Sequence, residues 1–209
     1  MRNNIAMTKP ATTVGIFGGS FNPIHSGHAI LANYIIQYGG LDQVWFMVSA
    51  QNPLKAVSGY SDDNHRLQMA QMVARRNRSF RASDLEMHMP RPSYTIDTLG
   101  TLREKYAECR FVLIIGADNW LDFDRWYRSR DIIAAYNVII FPREGYPVDA
   151  TKLPQGVCLV NTPLFPISST EIRQKVARGE SITGLVPAAI EDDVMHIYGH
   201  VGADDAIES

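Results

Sequence analysis

The stretch Val14-Gly15-Ile16-Phe17-Gly18-Gly19-Ser20-Phe21-Asn22-Pro23-Ile24-His25-Ser26-Gly27-His28 contains the change of pattern that sets the fold. Its first residues read as a short buried strand, Gly18-Gly19 breaks that strand, and Asn22-Pro23 makes a turn. From about Ser26 the apolar positions take helical spacing, with Ile30, Leu31, Tyr34, Ile35 and Tyr38 on the expected face. His25 and His28 stand three apart where that helix begins. A helix N-terminus presents unpaired N–H groups and positive dipole potential, so it favours an anion. Glycine lets backbone amides approach a phosphate with no Cβ in the way. Two imidazoles there can donate hydrogen bonds to phosphoryl oxygens. The stretch predicts a nucleotide-phosphate site, although both G-x-G-x-x-G and G-x-x-x-x-G-K-[ST] are absent. No third ligand of suitable type lies nearby in sequence, which argues against zinc.

Outward from this stretch the chain alternates. Gly39-Gly40 stops the first helix, and Val44–Val48 is a second apolar strand. Asp62 or Asp63 is placed to cap a helix with Leu67, Ala70, Val73 and Ala74 on its apolar face and Arg75-Arg76 in its last turn. Phe80–Glu86 reads as a more polar strand nearer an edge. Ser93 is placed to cap a helix through Ile96, Leu99, Leu102 and Tyr106. Phe111–Ile115 is the plainest strand; a short aromatic helix with Trp120, Phe123, Trp126 and Tyr127 follows. Strands at Asn137–Phe141 and Val157–Val160 complete the series. Ser168-Ser169-Thr170-Glu171 has capping-box spacing ahead of a helix that Gly179 ends, and a last helix follows Pro187.

Continuous apolar strands between amphipathic helices predict an α/β fold, a doubly wound Rossmann-like parallel sheet with helices on both faces and a C-terminal helical cap. Right-handed crossovers then gather residues 18–28, 49–55, 116–120 and 142–146 on the C-terminal rim, where such sheets bind ligands. The expected organisation is a single domain over 1–209, with a core of about 13–165, a helical subregion of about 166–199, and loose tails at 1–12 and 200–209.

The 209 residues suffice for one ordinary domain, and 45% hydrophobic with 20% charged residues is a globular composition. A net charge of −2 supplies no field for a long polyanion, so no nucleic-acid partner is expected. Cys109 and Cys158 suggest neither a disulfide framework nor a zinc ribbon. No apolar run has membrane length and the first residues lack a signal-like block, so the expected compartment is the cytoplasm.

Gly18-Gly19-Ser20-Phe21-Asn22-Pro23-Ile24-His25-Ser26-Gly27-His28 resembles the G-x-F-[DN]-P-x-H-x-G-H signature of the nucleotidyltransferase superfamily, and Ile167-Ser168-Ser169-Thr170-Glu171-Ile172-Arg173 resembles its second signature, I-S-S-T-x-[IL]-R. Ser93-Tyr94-Thr95-Ile96-Asp97-Thr98-Leu99, Gly116-Ala117-Asp118-Asn119-Trp120 and Leu185-Val186-Pro187 are similar to the bacterial nicotinate-nucleotide adenylyltransferases. The resemblance spans about residues 13 to 199. It implies an enzyme that joins ATP to nicotinate mononucleotide, with magnesium held mainly by ATP and water, and that needs no covalent intermediate.

The resemblance also implies roles. His25, His28 and Arg173 would be catalytic, contacting ATP phosphates. Gly18, Gly19, Ser20 and Phe21 would line the ATP site with Ser168, Ser169 and Thr170. Gly116, Asp118, Pro142 and Arg143 would surround the ATP ribose and adenine. Asn52, Lys55, Tyr94, Thr95 and Trp120 would receive the nicotinate nucleotide, Trp120 by stacking on the pyridine. No protein metal ligand is expected. Trp120 also reads as a core aromatic, Asp118 as a helix cap, and Lys55 as a surface lysine. Ala50 and Leu54 stand where many relatives carry proline and histidine, which removes an imidazole from that loop. Two alternatives stay open: an adenylyltransferase acting on another small molecule such as phosphopantetheine, and a non-catalytic nucleotide-binding regulator.

Overall fold

The computed structural model describes residues 11–49 and 62–199. Strands β1 (Thr12–Gly19), β2 (Gln43–Val48), β3 (Phe80–Ser83), β4 (Cys109–Gly116), β5 (Asn137–Phe141) and β6 (Val157–Leu159) form one sheet in the order β3-β2-β1-β4-β5-β6. All its pairs are parallel. This is the doubly wound order, and its direction of winding reverses between β1 and β4. The helices are α1 (Ser26–Gly39), α2 (Asp63–Ala74), α3 (Thr95–Lys105), α4 (Ala117–Leu121), α5 (Ser129–Ala135), α6 (Ser169–Ala177) and α7 (Glu191–Gly199). No helix among the described residues is long and apolar enough to cross a membrane.

Side chains alternate between two cores because successive strand residues face opposite sides of a sheet. Phe17, Val44, Phe46, Val112 and Ile114 face one core, where they meet Leu31 and Ile35 of α1, Met69 and Val73 of α2, Ile172 of α6 and Val194 of α7. Val14, Ile16, Trp45, Met47, Leu113 and Ile115 face the other, against Leu99 and Leu102 of α3 and Ile132 of α5. The C-terminal helices therefore belong to the same layer as α1 and α2. They complete one face of the sheet.

Several local expectations shift. Strand β1 begins at Thr12, inside the stretch expected to be a loose tail. In α1 the buried positions are Gly27, Leu31, Ala32 and Ile35, while Ile30 and Tyr38 lie on the solvent shoulder, 46% and 60% exposed. The buried face of α2 is Arg66, Met69, Ala70, Val73 and Ala74, with Leu67 only partly covered, and Arg75 lies just beyond the helix end. Asp62 is the cap of α2, accepting from Asn64 N–H at 3.1 Å. The strand expected over Phe80–Glu86 stops at Ser83 and turns into a 3-10 helix, Leu85–His88. Tyr94, not Ser93, is the N-cap of α3. The expected aromatic helix divides into α4 and a 3-10 turn, Phe123–Arg125, before Arg128 adopts a left-handed conformation (φ 54°) and α5 begins. The last strand ends at Leu159 rather than Val160.

The C-terminal layer is tied to the β1–α1 loop. Tyr198 donates from its hydroxyl to Asn22 Oδ1 at 2.6 Å in a buried setting, and Ser26 N–H donates to Leu185 O at 2.9 Å. Tyr198→Phe removes one buried hydrogen bond and keeps the ring; it is expected to lower unfolding free energy by about 1 kcal/mol, read as a lower urea midpoint at unchanged slope.

Candidate active site

The site is built from loops that leave the C-terminal ends of β1, β4 and β5, the rim that a parallel sheet offers at its switch point. His25 is the N-cap of α1 in an extended conformation, 7% exposed. Its backbone N–H donates to His28 Nδ1 at 3.1 Å. With Nδ1 accepting, neutral His28 carries its proton on Nε2 and is a donor there. The two rings stack with centroids 3.6 Å apart, and the edges of Phe17 and Phe21 hold His28 from other sides at 5.8 and 5.0 Å.

Electrostatics keeps both rings uncharged. Burial lowers His25 to about 3, and the nearby Arg143 guanidinium adds to the effect. Burial likewise holds His28 well below its ordinary 6.5, followed by His25 and then Arg143. Arg143 comes from the loop after β5, lies over the Phe141 ring at 5.1 Å, and has Nε 3.7 Å from Asp118 Oδ1. That carboxylate folds back over Gly116: a Cβ there would stand 2.2 Å from Asp118 Oδ1 and 3.2 Å from Arg143 Nε. Glycine at 116 leaves Asp118 and Arg143 free to take these positions without shifting. A groove runs between His25 and His28 on one side and Phe141, Arg143, Thr162 and Ile167 on the other. His25 Nδ1 and Thr162 Oγ1 are buried in its lining without a hydrogen-bond partner. Buried polar atoms seldom stay unpaired, so both retain capacity for a ligand.

The second signature closes on the first. Ser168 caps α6 by accepting from Glu171 N–H at 3.1 Å, and Ser169 Oγ donates to Pro23 O at 2.9 Å. Arg173 donates from Nη1 to Asn22 O at 2.7 Å and from Nη2 to Thr170 Oγ1 at 3.3 Å. Two of the five guanidinium N–H donors are thus used among the described residues.

On the opposite flank, Tyr94 and Thr95 start α3, with no side-chain cap. The Tyr94 ring packs on Tyr127 at 4.6 Å. Trp120 stacks on Phe123 at 5.2 Å, and Trp126 packs against the same ring at 5.2 Å with its Nε1 buried and unpaired. Asn52 and Lys55, with the departures at Ala50 and Leu54, lie outside the described residues.

Two polar residues that the sequence reading passed over hold the rim together. Arg66 is 1% exposed; Nη1 donates to Ser20 O and, at 2.9 Å, to Ser49 O, while Nη2 pairs with Asp63. Its signal was the phase 66, 69, 70, 73, which puts an arginine on the apolar face of a helix. Glu86 accepts from Ser49 Oγ at 2.8 Å and Thr98 Oγ1 at 2.9 Å. Burial pushes its carboxyl up, against hydroxyl donors from Ser49, Thr98 and Ser93 that pull it down.

The cytidylyltransferase-like family model matches residues 16–175. A probable nicotinate-nucleotide adenylyltransferase of Bacteroides fragilis is 48% identical over 179 residues, 86% of this chain and 89% of that protein. One of Bacteroides thetaiotaomicron is 54% identical over 160 residues, 77% of this chain and 79% of that protein. Among solved structures, the Plasmodium falciparum nicotinic acid mononucleotide adenylyltransferase complexed with NaAD superposes with a TM-score of 0.72 at 23% identity, covering 90% of this chain and 96% of that one, a likeness of fold.

Both imidazoles have lowered pKa values, so unfolded chains take up protons below about pH 6.5 while the native state does not. The stability they contribute is complete above that pH and is lost as pH falls toward the native values, by about 1.4 kcal/mol per pH unit for each histidine. Imidazole NMR signals of His25 and His28 are expected to show no titration between about pH 7.5 and 5. A midpoint near the ordinary histidine value at either ring would contradict the neutral pair.

Proposed function

The chain belongs to the cytidylyltransferase-like family and, within it, to the nicotinate-nucleotide adenylyltransferases; on that premise we propose that it joins ATP and nicotinate mononucleotide to give nicotinate adenine dinucleotide and pyrophosphate, a step of NAD biosynthesis, as a single nucleotidyltransferase domain working in the cytoplasm, where ATP is available. The observation that carries this reading is the neutral histidine pair at the start of α1, with the His28 tautomer fixed, Arg143 close by, and Arg173 anchored on the preceding loop.

A phosphate oxygen of the mononucleotide attacks the α-phosphorus of ATP in line, the bond from that phosphorus to the β-phosphate bridging oxygen breaks, and pyrophosphate leaves. No protein nucleophile is needed. Catalysis is positioning plus neutralisation of developing negative charge. His28 donates from Nε2 to the phosphoryl oxygens, and His25 lines the same groove. Being uncharged, His28 acts through a hydrogen bond without giving up its proton. Arg173 and the α6 N-terminus at Ser168–Thr170 hold the β- and γ-phosphates. Gly18 to Phe21 leave room for the phosphates, while Gly116, Asp118, Pro142 and Arg143 border the nucleoside. Among the described residues no three His, Cys, Asp or Glu side chains gather to cage a metal. On this reading magnesium would be carried by the ATP phosphates and water, where it would supply further charge neutralisation.

The acceptor is assigned to the side of Tyr94 and Thr95, where the uncapped α3 N-terminus suits a pyridine carboxylate. Asn52 and Lys55 are assigned to its phosphate or ribose. Trp120 is assigned to the pyridine ring. A second reading gives that ring to Trp126, because its neighbour Tyr127 packs directly on Tyr94.

The test is to incubate the protein with ATP, magnesium and, separately, nicotinate mononucleotide, its amide and phosphopantetheine. Pyrophosphate and nicotinate adenine dinucleotide are expected with the first. None with that acceptor would sink the reading. His28→Ala is expected to lower kcat by about 100-fold or more, and Arg173→Ala by a similar factor, at unchanged circular dichroism. Whichever tryptophan stacks on the pyridine is expected, on replacement by alanine, to raise KM for the mononucleotide by about 10-fold or more, from stacking worth about 1–3 kcal/mol. Trp120→Ala and Trp126→Ala decide between the two assignments.

A further inference from the structure

Ser49, at the end of β2, makes hydrogen bonds in three directions. Its N–H donates to Gly19 O at 3.0 Å, its carbonyl accepts from Arg66 at 2.9 Å, and its hydroxyl donates to Glu86 at 2.8 Å. Gly19 belongs to the proposed ATP loop. On the far side of Glu86 lies α3, whose first turn begins the proposed acceptor site. The chain Gly19–Ser49–Glu86–Thr98 thus connects the two halves through the rim of the sheet.

The two carboxylate oxygens are divided between the partners. Oε2 takes Ser49 and Oε1 takes Thr98, the fourth residue of α3. Ser93 stands near enough to help lower the same carboxyl's pKa. No side chain caps α3. Glu86 itself is 9% exposed, at the turn where β3 gives way to a 3-10 helix, so it is held in place by packing as well as by its donors.

We propose that Glu86 is a positioning residue for the acceptor side of the site: by taking the Ser49 and Thr98 hydroxyls it fixes the first turn of α3, which no side chain caps, against the rim of β2, where that turn would receive the acceptor's carboxylate. The inference rests on the adenylyltransferase reading given above. Glu86 acts through Tyr94 and Thr95 and has no part in the bond-making step. Its effect falls on one substrate, which a general contribution to folding would not do.

The experiment measures kcat, separate KM values for nicotinate mononucleotide and ATP, and the melting temperature of Glu86→Ala, Glu86→Gln and Thr98→Val. Glu86→Ala is expected to raise the acceptor KM by about 10-fold or more with the ATP KM within about twofold, the size of effect that loss of a buried charged hydrogen-bond acceptor has on the groups it holds. Glutamine keeps the shape and can exchange hydrogen bonds with hydroxyls, so Glu86→Gln is expected within about threefold of wild type. Thr98→Val, nearly isosteric, removes one donor and is expected to raise the acceptor KM alone, by about threefold. Should Glu86→Ala fold poorly, the other two variants decide. Equal rises in both KM values, or unchanged values in the folded variants, overturn the proposal. A glutamine variant as impaired as the alanine one overturns the positioning role in favour of a charge role. If wild-type protein makes no product from nicotinate mononucleotide, the functional reading fails with it. Turnover by wild type with an unmoved acceptor KM in the variants removes this inference alone.

Discussion

The Asn22 and Pro23 carbonyls accept hydrogen bonds from residues about 150 positions further along the chain, Arg173 and Ser169, and Asn22 Oδ1 accepts from Tyr198 further still. A loop between a strand and a helix has few neighbours of its own to satisfy its backbone. Here the C-terminal helices supply them. The consequence is geometric: α6 cannot sit elsewhere without stranding polar groups, so its N-terminus and Arg173 are held beside the start of α1. The groove itself is lined by Arg143 and by the neutral imidazoles of His25 and His28. The same bonds explain why α6 and α7 are a necessary part of this face of the sheet.

The imidazole pair follows from crowding. Phe17 and Phe21 press on His28, His25 stacks upon it, and Arg143 stands close enough to penalise a second positive charge. A neutral ring keeps one donor, and the direction of the His28 donor is set by a backbone N–H on its other nitrogen. On the proposed reading, charge for binding the triphosphate is left to the guanidinium groups. Arg143 is restrained by Asp118, and Gly116 makes room for that pair.

Most of the strand series was readable because β1, β2, β4 and β5 are apolar on both faces and each crossover starts or stops with a recognisable residue. The phase of α2 was not. Leu67 looked like a core position, yet Arg66 is the buried one, since its hydrogen bonds to the Ser20 and Ser49 carbonyls and its pairing with Asp63 outweigh the desolvation of a guanidinium. Nothing local announces those carbonyls. Ser93 misled in another way: Tyr94 takes the N-cap position of α3, and no side chain caps that helix. Glu86 looked like the end of a polar strand because its partners lie on β2 and α3.

The opening stretch is where the two kinds of information meet. Local sequence determined that a strand ends at a pair of glycines, that a helix starts near two histidines, and that a second signature far downstream resembles its counterpart in the same family. Those features depend on spacing and backbone preference within a few residues. Tertiary structure alone decided that the histidines are neutral, that Arg173 is anchored on the Asn22 carbonyl, and that Glu86 joins the two flanks of the rim. Each depends on burial and on hydrogen-bond partners contributed by remote segments, and burial is a property of the packed chain.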